Sequence, residues 1–412
     1  MKVLFICGEQ PFPATNGMRI PSWNMIKYFP VSWSLSVYCI NEDSSDELAN
    51  TIAKFRQGEV IKNSSKDKEV KNTTFKKFIK LLHFLFSMKP SFSVEHPKSF
   101  IIEDLSSIFS REFFDVVVLD SEFLAIYVDS LPKKSFKVIS PNDSITLAWM
   151  EEIKYKIFKN PIVKLYKRVN IFRSYRYEKK YYNKFDLCHF NGQVTADFVS
   201  RFVPSNKIIA ISNGIDSEAN SLIIPPSKNS KKAVIVGALS GGNLIYTVRF
   251  IKEVWANVVA LNPEMELTIV TRINPKKFSK LFQKYNIKLS NYSGNLNAYY
   301  QNFGLVITPV LKDCGIQNKI LEGMASGRPV VGYDCSFLGI PEARHLEEVL
   351  SARNPQEFTD LIISAPAMST KLDTLGLEAR RLVSQKYAWK DKLDSLGEVI
   401  EKGAKAKRGR NA

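Results

Sequence analysis

Histidine and paired cysteine are what this chain has least of. His83, His96, His189 and His345 lie far apart, and none of Cys7, Cys39, Cys188, Cys314 and Cys335 stands in a Cys-x-x-Cys pair. That argues against a zinc centre or a disulfide framework, so no metal is expected, and most of the thiols read as core or near-core residues of a reducing compartment. Long apolar runs are missing too. Val3 to Cys7 is too short for a secretory segment or a span, and nowhere do about 18 apolar residues follow one another. The chain is therefore expected in the cytosol, at most attached to a membrane surface. Acidic residues are in deficit, 41 against 58 Lys and Arg, for a formal charge of +17. That excess implies anionic partners: lipid head groups, nucleic acid or phosphorylated substrates.

The charge is concentrated. From Glu151 to Phe185 eleven Lys or Arg face three acids, among nine Tyr or Phe, and Lys402 to Arg410 adds five cations. Phe75 to Phe86, FKKFIKLLHFLF, places Lys76, Lys80 and His83 on one helical face, with Phe78, Ile79, Leu82 and Phe86 elsewhere. Cations interleaved with aromatics suit an anionic membrane surface, through 75–86 and 154–184. A core-packed helix with solvated lysines explains 75–86 equally well. Base stacking is a further use of such a patch, but no nucleic-acid module accompanies it and none is expected as a partner.

With 412 residues the chain is comfortable as two domains. Strands read at 2–7, 35–40, 115–120, 137–140 and 186–190, alternating with helices at 19–29, 154–183 and 193–202. The pattern restarts with a short strand at 208–211 and a Pro/Ser/Lys-rich boundary at 221–232. Strands at 233–236, 266–271, 288–292 and 305–308 follow, with helices at 246–261, 275–285 and 296–302. Tyr246 and Trp255 read as core. The remainder, 356–402, is helical. Strands alternating with helices indicate doubly wound parallel sheets, with a ligand cleft near the carboxyl ends of the strands. The expected division is 1–205, 206–375, a returning helix at 376–402 and a disordered basic tail at 403–412.

Gly315 to Val331, GIQNKILEGMASGRPVV, is the most informative stretch. Gly315 permits a turn, Asn318 to Ala325 form a helix, Gly327 stops it and Pro329 blocks its continuation into a strand at Val330. Lys319 and Glu322 share one face near the helix start. Free N–H groups beside a lysine suit a diphosphate, and a carboxylate one turn along suits ribose hydroxyls. An ordinary helix-to-strand connection with solvated Lys and Glu is the plain alternative.

The same residues resemble the donor-site signature of family-four glycosyltransferases, which have the GT-B fold, in particular a subgroup with an Ile-x-Asn-Lys-x-Leu-Glu core. Ser212-Asn213-Gly214-Ile215-Asp216 is similar to that family's Asn-Gly-Val-Asp turn. Val236 to Ser240 resembles its phosphate-approaching loop, Pro11 to Arg19 its N-terminal glycine loop, and Tyr387-Ala388-Trp389 its aromatic-small-Trp segment. Three departures stand out. Cys314 occupies the place of the first of two glutamates, the loop Ser240 to Asn243 has no arginine, and Asn142-Asp143 stand where a His-Asp pair is usual.

The resemblance implies an α/β GT-B fold: two Rossmann-like doubly wound domains facing a cleft, with a C-terminal helix crossing back to the first. It implies transfer of a sugar from a nucleotide sugar, with retention, to a glycan or lipid-linked acceptor in surface polysaccharide assembly. Lys319, Glu322 and Asp143 are the catalytic candidates. Gly17, Gly237, Arg272, Gly315, Ile316, Gln317 and Asn318 join Lys319 and Glu322 at the donor, with Asn274 beside Arg272. Asn142 and Asp143 lie on the acceptor side, Asp143 being equally readable as a helix cap. A sugar-nucleotide epimerase of the same fold and a degenerate transferase acting as a binding protein are the alternatives.

Overall fold

A computed structural model describes residues 1–14, 17–41, 45–54, 56–62, 88–93, 96, 98–155, 160–216, 224–237, 239, 241–271, 278–292, 295–311 and 315–411. The segment 75–86 lies outside these. The chain divides into two compact units.

Unit 1 comprises Met1–Ile153, Phe158–Ile211 and Lys390–Ala412. Its strands are β1 (Lys2–Glu9), β2 (Ser34–Asn41), β3 (Gly58–Ile61), β4 (Val116–Asp120), β5 (Phe136–Ile139), β6 (Leu187–Phe190) and β7 (Ile208–Ala210). They form one parallel sheet in the order β3-β2-β1-β4-β5-β6-β7. β4 is buried at every residue, as a strand covered on both faces must be. The connecting helices are α1 (Arg19–Tyr28), α2 (Ser45–Ala53), α3 (Ser99–Arg111), α4 (Ile145–Lys154), α5 (Pro161–Tyr182) and α6 (Gln193–Val199). Two expectations change here. The helix expected over 154–183 starts later, as α5 at Pro161, because Asn160 caps it by accepting from the Ile162 amide at 2.8 Å and Pro161 occupies its first turn; Lys154 ends α4. The strand expected to open the second domain, at 208–211, instead pairs with β6 and closes the first sheet.

Unit 2 comprises Lys154–Ile157 and Ser212–Trp389. Its strands β8 (Lys232–Val236), β9 (Glu266–Val270), β10 (Ile287–Ser290), β11 (Leu305–Thr308), β12 (Val330–Tyr333) and β13 (Val349–Ala352) pair in parallel in the order β10-β9-β8-β11-β12-β13. The helices are α7 (Gly241–Phe250), α8 (Ala256–Leu261), α9 (Ser279–Lys284), α10 (Leu296–Tyr300), α11 (Asn318–Ala325), α12 (Pro355–Ser364) and α13 (Ser369–Lys386). Alternation along the strands separates two cores. Ala233, Ile235, Ile307 and Val331 pack with Phe250, Trp255 and Phe358. Val234, Val306 and Val330 pack with Tyr300, Ile320, Leu321 and Met324.

The last helix, α14 (Trp389–Asn411), runs through the stretch expected to be a disordered tail. Leu393, Leu396 and Ile400 are buried. Lys407 meets Asp186 at 2.7 Å and Arg408 pairs with Asp115, so part of the tail's basicity is spent on the strand-bearing unit. No described helix is long and apolar enough to cross a membrane.

Candidate active site

Each sheet reverses its winding once, in unit 2 between β8 and β11 and in unit 1 between β1 and β4. Loops leaving the two strands at such a point diverge to opposite faces, and ligands bind in the crevice they leave at the carboxyl ends.

In unit 2 the loops from β8 and β11 lead into α7 and α11. Gly237 follows β8 with φ +149°, and its amide donates to the Val270 carbonyl at 3.0 Å. Gly315 turns with φ +68°, and the backbone at Gly339 approaches it so closely that a Cβ there would lie 2.6 Å from the Gly315 carbonyl oxygen. Gln317 enters α11 in an extended conformation without capping it through its side chain, which leaves first-turn amides directed at the crevice. The helix ends as the sequence requires. Gly327 adopts φ +73°, its amide bonds to the Met324 carbonyl and that of Arg328 to Gly323, a Schellman closure. Gly323 presses α11 onto the sheet, since a Cβ would meet Val306 and Val330 at 3.1 Å.

Lys319 and Glu322 lie on the partly exposed side of this helix. Desolvation pushes the Glu322 carboxyl up to about 6, against the pull of the Lys319 charge. The buried Tyr300 phenol, without a hydrogen-bond partner, is raised by burial and by the Glu322 charge. Asn318 is fixed from outside the motif, its side-chain oxygen accepting from Asn213 Nδ2 at 2.8 Å. The Asn213 turn is itself anchored. Ile215 donates to the Tyr387 carbonyl at 2.7 Å, Trp389 returns a bond to Ile215 at 3.1 Å, and a Cβ on Gly214 would lie 2.7 Å from the Trp389 nitrogen. Two motifs far apart in sequence thus support a third. Ile316 is buried in the core and offers the site only its backbone. Arg328 belongs to the scaffold, buried and donating to the Ile224 carbonyl and to Gln301. Arg272, Asn274, Cys314, Ala238 and Ser240 lie outside the described residues.

In unit 1 a small cavity at the reversal is lined by Gly8, Glu9, Met18, Arg19, Ser22, Asp120, Ser121 and Asn142. Asp120 was not singled out from the sequence. Its buried carboxyl accepts from Ser22 Oγ through Oδ2, and Oδ1 has no hydrogen-bond partner. Burial raises it to about 7, with the Ser22 hydrogen bond opposing and the Glu122 charge adding to the rise. The signal was an acid ending an otherwise apolar central strand. Asn142 sits at φ +61°, held by the Asn191 side chain at 2.8 Å and the Asn191 amide at 3.0 Å. The next helix is capped by Ser144, whose Oγ accepts from the Leu147 amide at 3.2 Å, so that role does not fall to Asp143. Ser144 in turn donates to the buried Glu178. Gly17 is exposed, with no atom within 4 Å of where a Cβ would be. His189 is structural: burial lowers it to about 4, and it is bonded to Ser140 and the Ile211 carbonyl, both at 2.9 Å. No group of three metal-ligating side chains occurs among the described residues.

Residues 230–365 match the family model described as glycosyl transferases group 1. No curated protein matches the chain in sequence. Among solved structures, HepE of Anabaena, solved with UDP and glucose, is 12% identical with a TM-score of 0.65, over 97% of this chain and 99% of that one. A variant of TarM from S. aureus, solved with fondaparinux, alpha-GlcNAc-glycerol and UDP, is 11% identical with a TM-score of 0.66, over 97% and 100%. Sucrose-phosphate synthase from Thermosynechococcus elongatus is 12% identical with a TM-score of 0.68, over 98% and 99%. At this identity the structural likeness concerns the fold, and the sequence match lies in unit 2, where it contains the whole of Gly315 to Val331. The chain thus has the GT-B fold, and residues 230–365 of it are similar to the glycosyl transferases group 1 family.

Proposed function

We propose that the chain transfers a sugar from a nucleotide diphosphate sugar to a hydroxyl of a glycan or lipid-linked acceptor, with retention, in cell-surface polysaccharide assembly. The observation that carries this reading is the winding reversal of unit 2, where α11 presents Lys319, Glu322 and first-turn amides beside the Gly237 loop. Breaking the anomeric C–O bond leaves negative charge on the departing diphosphate and an oxocarbenium-like sugar. Aimed N–H groups and a cation lower that barrier. Lys319 and the amides of 315–318 take the phosphates, and Glu322 accepts from ribose hydroxyls. Arg272 is assigned to the nucleobase and Gly17 to the donor's approach.

On the acceptor side the reading uses Asn142, Asp143 and the newly found Asp120. Asp120 Oδ1, buried and unpartnered, is an acceptor for a sugar hydroxyl. The relatives solved with UDP or with glycan ligands support a nucleotide sugar and a glycan as the two substrates. A panel of nucleotide sugars, read by release of nucleoside diphosphate, tests the reading. Lys319→Ala is expected to lower kcat/KM by about 10²–10³. Asp120→Asn is expected to spare donor hydrolysis and lose transfer. Wild-type turnover in Lys319→Ala with an intact fold would sink the donor assignment, and isomerisation without transfer would favour an epimerase.

A further inference from the structure

Helix α5 is inverted. Its buried side carries Asn170, Arg173, Ser174 and Glu178 beside Tyr177 and Tyr182, whereas Ile162, Leu165 and Phe172 are 76%, 64% and 53% exposed, joined by Tyr166 at 41%. Scattered exposed apolar residues are ordinary on a protein surface. Four large ones within eleven positions of one helix form a patch, and patches mark contacts. Two members of the polar side are bonded inward, while the Ser174 hydroxyl is buried without a partner: Asn170 accepts from the Ser91 amide at 2.9 Å, and Glu178 from Ser144 and from the Thr146 amide at 3.2 Å. The inversion is therefore held in place by hydrogen bonds.

The outer side also carries charge of one sign. Arg168, Arg176, Lys179 and Lys180 are exposed along it, and the Arg176 guanidinium lies over the Phe172 ring at 5.7 Å. We infer that the outer face of α5 is a docking surface for a bilayer bearing anionic head groups. Ile162, Leu165, Tyr166 and Phe172 would enter the head-group boundary, and the cations would meet lipid phosphates. Charge complementarity selects this occupant. Two copies of the face would bring like charges together, and although Tyr166 and Phe172 offer rings to bases, Ile162 and Leu165, the two most exposed members, do not. The inference does not depend on the transferase reading, because vesicle binding reports the surface and nucleotide binding reports the crevice.

The full chain is floated with vesicles of phosphatidylcholine alone and of an equal mixture with phosphatidylglycerol, at low and high salt. The expected result is binding to the mixed vesicles only, weakened by salt. The double variant Ile162→Glu with Leu165→Glu, both sites being well exposed, is expected to fold normally, bind UDP as before and lose at least about tenfold in vesicle affinity. Reversing Arg176 and Lys180 to Glu is expected to abolish the preference for the anionic mixture. No flotation of the wild type, or unchanged flotation of the aliphatic double variant, overturns the inference. So does a dimer, or an RNA complex, that the same double variant abolishes while vesicle binding persists.

Discussion

Glu322 makes a pH prediction of its own. Its carboxyl is held up to about 6 by desolvation, above the 4.5 of a solvated glutamate. Between those values the unfolded chain ionises first, so this residue subtracts stability as pH climbs from 4.5 through about 6. Donor binding has the opposite sense, because only the carboxylate accepts hydrogen bonds from both ribose hydroxyls. The donor KM is expected to rise as pH falls through about 6. In Glu322→Gln it should be higher at neutral pH and flat across that window. A flat wild-type profile would remove Glu322 from the ribose. At this scale the sequence displayed Lys319 and Glu322 because helix spacing put them on one face. It hid Asp120, whose character comes from Ser22, Glu122 and burial, none of which the strand DVVVLD reveals.

Elements were legible where a local rule governs them. The end of α11 was read from Gly327 and Pro329, and the chain closes there as those residues dictate. What escaped was pairing. β3, four residues long and exposed at its start, has no periodicity to betray it, and β7 was placed with the second domain because only its pairing with β6 decides. The turn Asn213–Ile215 shows the same dependence on a distant partner. Gly214→Ala forces a methyl to within 2.8 Å of Trp389 and of the Tyr387 carbonyl, all backbone, which has little room to yield. Overpacking of this kind costs about 1–3 kcal/mol. It should also loosen Asn213 from Asn318. Thermal unfolding is expected to shift down, and affinity for the proposed nucleotide-sugar donor to fall with it. Full stability in Gly214→Ala would show that the turn adjusts more easily than its geometry implies.

For the whole molecule, the two doubly wound sheets were foreseeable from alternating apolar strands and helices, whereas the destination of the last helix was not. The basic run Lys402–Arg410 reads as a solvated tail until Asp186 and Asp115, far away in sequence, pair with Lys407 and Arg408. Those bridges are partly exposed and individually weak. The buried Leu393, Leu396 and Ile400 hold α14 to unit 1. Ile400→Ala removes a fully buried side chain and should cost about 2–5 kcal/mol. Because Ile400 packs within unit 1, hydrogen exchange should quicken in β5 and β6 and leave β11 and β12 unchanged. Equal acceleration in both sheets would mean that the chain unfolds as a single cooperative body, and the division into two compact units would then have no energetic counterpart.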